Sequence, residues 1–201
     1  MMEKVSKTHA VQSGVADYAA AANRLHAKEI QNGRSKPGRA LDRWHNLLVS
    51  NVAIAFGSRL KGSKCELYIG NMEVQTRQKF SCFPDVVVVS GEPQFADQNA
   101  DLLLNPTLVV EIFEGTCSAD KTELLENFLA TESVKECFFI KQDEMRIEHY
   151  SKQNAKQWIY RIYNERDDVV SADSINCKVS LSEIYGQIKL GQDALSSRAV
   201  N

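Results

Sequence analysis

The chain has 201 residues, of which 43% are apolar and 25% are charged, the proportions of an ordinary globular protein. This length favours one domain that buries a hydrophobic core. A formal net charge of −2 argues against a strongly cationic protein that coats nucleic acid, although a local basic groove is compatible with it. The sequence contains no signal peptide and no apolar run of membrane length, so we expect a cytoplasmic protein without membrane contact.

The five cysteines, at positions 65, 82, 117, 137 and 177, are an odd number without a CxxC spacing. This pattern argues against a structural zinc site and against a disulfide scaffold. Cys65, Cys82 and Cys137 lie in or beside apolar runs, which predicts small buried residues with reduced thiols.

The N-terminal segment predicts a flexible arm followed by a helix. Residues 1–14 are polar, and we expect them to be flexible. The segment Val15–Ile30 has apolar residues at helical spacing, with Glu29 near the end of the predicted helix. Asn32-Gly33 follows as a helix stop, because glycine is common just after a helix.

A basic segment separates this helix from the next one. Residues 33–39 indicate an exposed loop, and a second helix is predicted from Leu41 to Leu60. The cations of this region could contact DNA phosphates, which would make binding fall steeply with salt, or could form a solvated loop. They are Arg34, Lys36, Arg39 and Arg43.

From Lys64 onward the pattern indicates strands and one short helix. The helix is predicted at residues 120–130, with Asp120 as its N-cap and Glu123 completing a capping box. We expect a single domain over residues 15–190 and a flexible tail over residues 191–201. The predicted strands are residues 65–69, 72–74, 82–89, 106–113, 137–140, 146–150 and 158–163, before a last folded segment at 179–188.

Two of these strands each contain one carboxylate where an apolar residue is expected. Asp85 follows Pro84 at the start of one, and Glu111 interrupts the other. A buried carboxylate is unfavourable unless it is paired, hydrogen-bonded or bound to a metal, so two on neighbouring strands suggest a divalent cation between them. Alternatively, Asp85 caps backbone groups at the start of its strand, and Glu111 forms a buried ion pair with Lys121.

The order helix, three strands, helix, strand, with Asp opening one strand and Glu inside the next, resembles the restriction-endonuclease-like nucleases. The runs PDVVVVSGEPQFAD and LLNPTLVVEI, followed by SVKE and LSEIY, resemble more closely the Uma family of restriction endonucleases of the PD-(D/E)xK type, abundant in cyanobacteria. The similarity covers roughly residues 29–190. It implies an α/β fold with a mixed central sheet flanked by helices.

The resemblance also implies a DNA endonuclease that depends on magnesium or manganese and acts as a homodimer. In such nucleases an Asp, and a Glu followed two residues later by a Lys, bind the metal and stabilise the phosphate. Asp85 and Glu111 match the metal-binding carboxylates. Glu29 resembles the N-terminal glutamate of the family, and His45 matches a histidine near the start of the next helix.

Several positions depart from the family pattern and leave the catalytic set incomplete. Asn71 stands where the family has Asp, and Phe113 stands two residues after Glu111. The family carries its lysine on the following helix, where this chain has Leu124. Lys121, one helical turn away, is the nearby candidate for the missing cation. The family also has a hydrophobic strand where this chain has its basic loop.

These departures leave a second interpretation open. A protein that has lost catalysis would keep the fold to bind nucleic acid or a protein partner.

Overall fold

The computed structural model describes residues 29–31, 34–36, 43–77, 80–96, 101–115 and 119–190. The chain divides into two units, residues 1–40 and 41–201.

The described part of the first unit is an antiparallel hairpin of β1 (Glu29–Gln31) and β2 (Arg34–Lys36). The prediction that Glu29 and Ile30 end a helix is therefore wrong, as is the prediction of a loop at Arg34–Lys36. Asn-Gly between two short segments is a strong sequence signal for a two-residue hairpin as well as for a helix stop, and here the first interpretation holds for the flanking strands. The rest of the predicted helix, residues 15–28, and Arg39 lie outside the described residues.

The second unit mixes helices and strands around one six-stranded sheet. Its elements in chain order are α1 (Arg43–Leu60), β3 (Cys65–Ile69), β4 (Glu73–Arg77), β5 (Phe80–Cys82), β6 (Val86–Ser90), β7 (Leu102–Leu103), β8 (Leu108–Phe113), α2 (Ala119–Ala130), β9 (Glu136–Lys141), β10 (Ile147–Asn154), β11 (Gln157–Tyr163), β12 (Val169–Ala172), a 3₁₀ turn (Asp173–Ile175), β13 (Cys177–Ser180) and α3 (Leu181–Ile184).

The predicted helices and strands of this unit are confirmed, with small shifts of their ends. Because α2 begins at Ala119, Asp120 lies inside its first turn, and the predicted N-cap at Asp120 is wrong. The sequence analysis missed three short strands, β5, β7 and β12. Cys82 and Cys137 are buried as predicted, whereas Cys65 is half-buried.

The six-stranded sheet has the order β11–β10–β9–β8–β6–β3. The pair β8–β9 is parallel and the other neighbours are antiparallel, so the sheet is mixed, as the resemblance implies. A parallel pair needs a crossover connection, and α2 lies in the segment between β8 and β9. Val86 to Val89 are all buried, as expected for a strand covered on both faces.

Each face of the sheet packs against one long helix. Leu48, Val52 and Phe56 of α1 share a core cluster with Val86 and Val110. Phe128 of α2 belongs to a second cluster with Val87, Val109, Phe113 and Phe139. Because side chains alternate along a strand, successive residues of β6 and β8 belong alternately to the first and to the second cluster. We call the two sides the α1 face and the α2 face.

None of the helices in the described ranges combines the length and the hydropathy that crossing a bilayer requires.

Candidate active site

Asp85 lies directly before β6 and is held by three hydrogen bonds. Its Oδ2 accepts from the backbone N–H of Ile112 at 2.7 Å, and its Oδ1 is 3.0 Å from Nε2 of His45. The backbone N–H of Gly70 donates to its carbonyl oxygen at 2.9 Å. The pairing of β6 with β8 ends at Val86 and Val110. Beyond this pair, the backbone N–H of Ile112 in β8 donates to the Asp85 carboxylate instead of to a backbone carbonyl. The alternative that Asp85 caps backbone groups is thus correct in geometry.

This capping leaves Asp85 able to bind a cation. An ionised carboxylate has about four lone-pair sites and no proton to donate. For the same reason, the proton in the contact with His45 belongs to Nε2 of the imidazole. His45 lies in the first turn of α1 and is 4% exposed, and the bond orients the carboxylate.

Glu111 lies in the middle of β8 and is half-buried. Alternation places it on the α2 face, together with Val109 and Phe113. The amide that donates to Asp85 belongs to the peptide group joining Glu111 to Ile112, so the Asp85 carboxylate lies against the backbone of Glu111. The charge of Glu111 also acts on the core. Burial raises the pKa of the Cys137 thiol, and the charges of Glu136 and Glu111 raise that pKa further.

Lys121 extends from α2 toward the sheet, and its side chain is only 10% exposed. Its Nζ lies 3.9 Å from the ring centre of Phe113 and 5.2 Å from that of Phe139, both within the range of cation–π attraction. It also donates to Oε2 of Glu148 at 2.9 Å. Phe113 stands two residues after Glu111, so the ammonium lies above the position where restriction-endonuclease-like nucleases carry their lysine.

Leu124, at the lysine position of the Uma pattern, instead packs against the core cluster under α2. The helix thus presents an apolar residue where the family has a cation. Lys121 precedes it by three residues and lies on the same side of the helix.

Three residues of or beside β10 that were not predicted as site residues, Arg146, Glu148 and Tyr150, complete this cluster. Glu148 on β10 is 8% exposed and accepts hydrogen bonds from Lys121, from Nε of Arg146 at 3.3 Å and from the hydroxyl of Tyr150 at 3.3 Å. Burial acts to raise the pKa of Glu148, but the hydrogen bonds and charges of Lys121 and Arg146 outweigh it and lower that pKa. The alternation of Arg146, Glu148 and Tyr150 is visible in the sequence, but alternation of this kind is equally typical of the solvent-exposed face of an antiparallel pair.

The remaining predicted site residues are less closely defined. Asn71 is exposed in the turn next to Gly70, whose amide bonds to Asp85. Arg43 is exposed at the start of α1, with its guanidinium 4.5 Å from the ring centre of Trp44. Glu29, Arg34 and Lys36 lie in the hairpin of the first unit, where only the backbone is described.

The donor set fits some metals and not others. Among the described residues, no group of three or more His, Cys, Asp or Glu side chains is arranged to hold a metal ion. Zinc sites need three or four such ligands, whereas magnesium commonly takes one or two carboxylates and completes its shell with water and phosphate oxygens. Asp85 and Glu111 therefore fit magnesium or manganese and do not fit zinc.

Comparison with known proteins identifies the family of the chain. The family model Uma2, described as "Putative restriction endonuclease", matches residues 15–182. An uncharacterised protein of Synechocystis is 27% identical over 117 residues, which are 57% of this chain and 66% of that protein. The alignment thus covers slightly less than two thirds of that relative's length.

The structural comparison finds the same kind of fold. A crystal structure from Anabaena variabilis, described as that of a "putative nuclease", superposes with a TM-score of 0.63 and 18% identity, covering 79% of this chain and 89% of that one. At this identity the likeness shows the fold alone, a nuclease fold with a mixed sheet and flanking helices. Because the family model covers most of the chain, the protein belongs to the Uma2 family of restriction-endonuclease-like proteins.

Proposed function

We propose that the protein is a magnesium-dependent endonuclease that hydrolyses phosphodiester bonds in DNA. One observation carries the proposal: the Asp85 carboxylate accepts a hydrogen bond from the backbone N–H of Ile112, in the peptide group that follows Glu111, so the first acid lies against the backbone of the second. Membership of a family described as restriction endonucleases supports the reaction type.

In this proposal Asp85 and Glu111 hold Mg²⁺ or Mn²⁺. Such an ion, when bound, lowers the pKa of an attacking water and neutralises charge that develops on the phosphate. His45 fixes the Asp85 carboxylate through its Nε2–H, as outer partners of metal ligands commonly do.

Lys121 supplies the positive charge that the family lysine would provide. Its ammonium lies 3.9 Å from the ring centre of Phe113, two residues after Glu111, and in this proposal it meets a phosphate held beside Glu111. A fixed cation at this place stabilises the negative charge of the transition state more than that of the bound substrate.

The other predicted contributors keep the roles that the resemblance implies. Asn71 belongs to the outer shell of the metal, and Glu29 keeps the role of the family's N-terminal glutamate. Arg34, Lys36, Arg39 and Arg43 bind DNA phosphates. A closed two-fold homodimer, the commonest oligomer, would let each subunit cut one strand.

A second candidate function is favoured by the packing of α2. Leu124 fills the core at the family's lysine position, and Lys121 is engaged by Glu148. Under this candidate the chain keeps the nuclease fold but binds nucleic acid or a protein partner without cutting.

The reaction itself is the direct test. We expect the purified full chain to convert supercoiled plasmid to nicked or linear DNA with magnesium or manganese, and to lose this activity with EDTA, because the metal would lower the pKa of the attacking water. Product is measured on agarose gels, with single-stranded DNA and RNA as further substrates. An absence of cleavage with every metal and substrate would overturn the proposal.

Restoring the family residues separates the two candidates. The double variant Asn71→Asp with Leu124→Lys adds one acid and one cation at the family positions. If the natural chain has lost catalysis, we expect the double variant to gain metal-dependent nicking that the natural chain lacks.

Leu124→Lys removes a partly buried apolar side chain, so we expect it to lower the free energy of unfolding by about 1–2 kcal/mol, measured by urea denaturation.

If the natural chain already nicks DNA, the second candidate fails whatever the double variant does.

A further inference from the structure

A charged cluster lies on the α2 face beside the proposed metal site. Glu111, Phe139 and Glu148 face one another across β8, β9 and β10, since Phe139 pairs with Glu111 on one side and with Glu148 on the other. Paired residues share a face of the sheet, and two strand spacings place the two glutamates about 10 Å apart. Lys121 reaches into this row from α2 and bonds to Glu148.

The surroundings of Lys121 are largely apolar. Its ammonium lies over the rings of Phe113 and Phe139, and its side chain is only 10% exposed. A cation in such a place loses much of its hydration, so it needs an opposite charge nearby. Glu148 provides that charge, and its lowered pKa means that it stays ionised at neutral pH.

Glu148 has a second cationic partner on its other oxygen. Nε of Arg146 lies 3.3 Å from Oε1, while Lys121 bonds to Oε2. The hydroxyl of Tyr150 also donates to Oε2, at 3.3 Å. Glu148 would therefore remain charge-paired if the lysine turned away from it.

We propose that Glu148 is a positioning residue that holds the Lys121 ammonium above Phe113. When Lys121 turns to a substrate phosphate, Arg146 remains beside Glu148 and pairs with its negative charge. The inference rests on the proposed function, because a phosphate beside Glu111 is what Lys121 would meet. Every charged group keeps an opposite charge beside it in both states, since Lys121 moves from Glu148 to the phosphate and Arg146 remains paired with Glu148.

Coupling between Glu148 and Lys121 in catalysis tests this role. Glu148→Gln, Lys121→Met and the double variant are compared in single-turnover plasmid cleavage with magnesium. We expect Glu148→Gln to lower the maximal rate by about 10–100-fold with little change in the substrate concentration at half-maximal rate. In the Lys121→Met background the same change should have almost no effect, because there is no ammonium left to position. An equal loss in both backgrounds would overturn the proposal.

A second readout does not depend on cleavage. Acetylation of lysines by an N-hydroxysuccinimide ester, followed by mass spectrometry, reports how firmly each ammonium is held. We expect Lys121 to react slowly in the natural chain and severalfold faster in Glu148→Gln, while the exposed Lys156 reacts at the same rate in both. Unchanged protection of Lys121 would overturn the positioning role, even in a chain that cleaves DNA.

The two readouts distinguish a failure of the positioning role from a failure of the proposed function. Faster acetylation in a chain that cleaves nothing supports the contact and rejects the proposed function. If Glu148→Gln does not fold, Glu148→Asp decides, because it keeps the charge beside Arg146 but shortens the reach to Lys121. Faster acetylation of Lys121 in that variant supports the role, and an unchanged rate overturns it. Glu165→Gln, in an exposed turn, is the matched control.

Discussion

Replacing Asp85 with alanine is expected to abolish magnesium-dependent nicking of plasmid DNA. The substitution removes one of two proposed metal ligands, and metal stabilisation of a phosphoryl transition state is worth several kcal/mol. At about 1.4 kcal/mol per factor of ten, the expected loss is roughly a thousandfold or more. The rate is measured from initial velocities at saturating magnesium. Asp167→Ala, an exposed aspartate in a turn, should leave the rate unchanged.

Because Asp85 also caps the Ile112 amide, a loss of activity in Asp85→Ala could come from a disturbed fold. Asp85→Asn separates the two roles. Its side-chain oxygen still accepts from the Ile112 N–H, but it lacks the negative charge that a hard cation requires. We expect Asp85→Asn to keep a higher thermal midpoint than Asp85→Ala and to lose both cleavage and the heat of manganese binding in calorimetry. Full activity in this variant would reduce Asp85 to a capping residue.

How far the sequence could predict this molecule depends on the range of the interactions involved. The central strands were predictable because valine-rich runs bounded by proline can be buried on both faces. The β1–β2 hairpin was not, since Asn32-Gly33 signals a helix stop as well as a hairpin, and only strand pairing decides between them. The short strands β5, β7 and β12 depend on distant partners and have too few residues to show a period.

The candidate site was predictable in its residues but not in its contacts. Proline before Asp85 and the apolar run around Glu111 mark both acids in the sequence. Helical spacing allowed Lys121 to face inward, but it could not show that Glu148 of β10 would bind it. That contact requires α2 to place Lys121 on the face of the sheet that carries Phe113, Phe139 and Glu148, which is a property of the tertiary fold.

A second buried polar cluster carries the largest expected effect on stability. Glu136 begins β9 and His149 lies on β10, and both are 2% exposed. Nε2 of His149 is 2.9 Å from Oε1 of Glu136. The carboxylate also accepts from the backbone N–H groups of Asp173 and Ser174, at 3.2 and 2.9 Å, and from the Ser174 hydroxyl. One side chain thus ties two strands of the sheet to the 3₁₀ turn between β12 and β13.

Glu136→Ala is therefore expected to lower the free energy of unfolding by about 3–5 kcal/mol, because several buried donors lose their acceptor at once and each unsatisfied donor costs about 1–3 kcal/mol. Equilibrium urea denaturation followed by tryptophan fluorescence measures the change, and the exposed Glu165→Ala is the control, with an expected effect within about 0.5 kcal/mol. Glu136→Gln keeps the shape and one acceptor oxygen, but it points an amide N–H₂ at groups that are themselves donors. Its free energy of unfolding should lie between that of the natural chain and that of Glu136→Ala. A loss below about 1 kcal/mol in Glu136→Ala would mean that water replaces the carboxylate, since a single exposed hydrogen bond is worth no more than that.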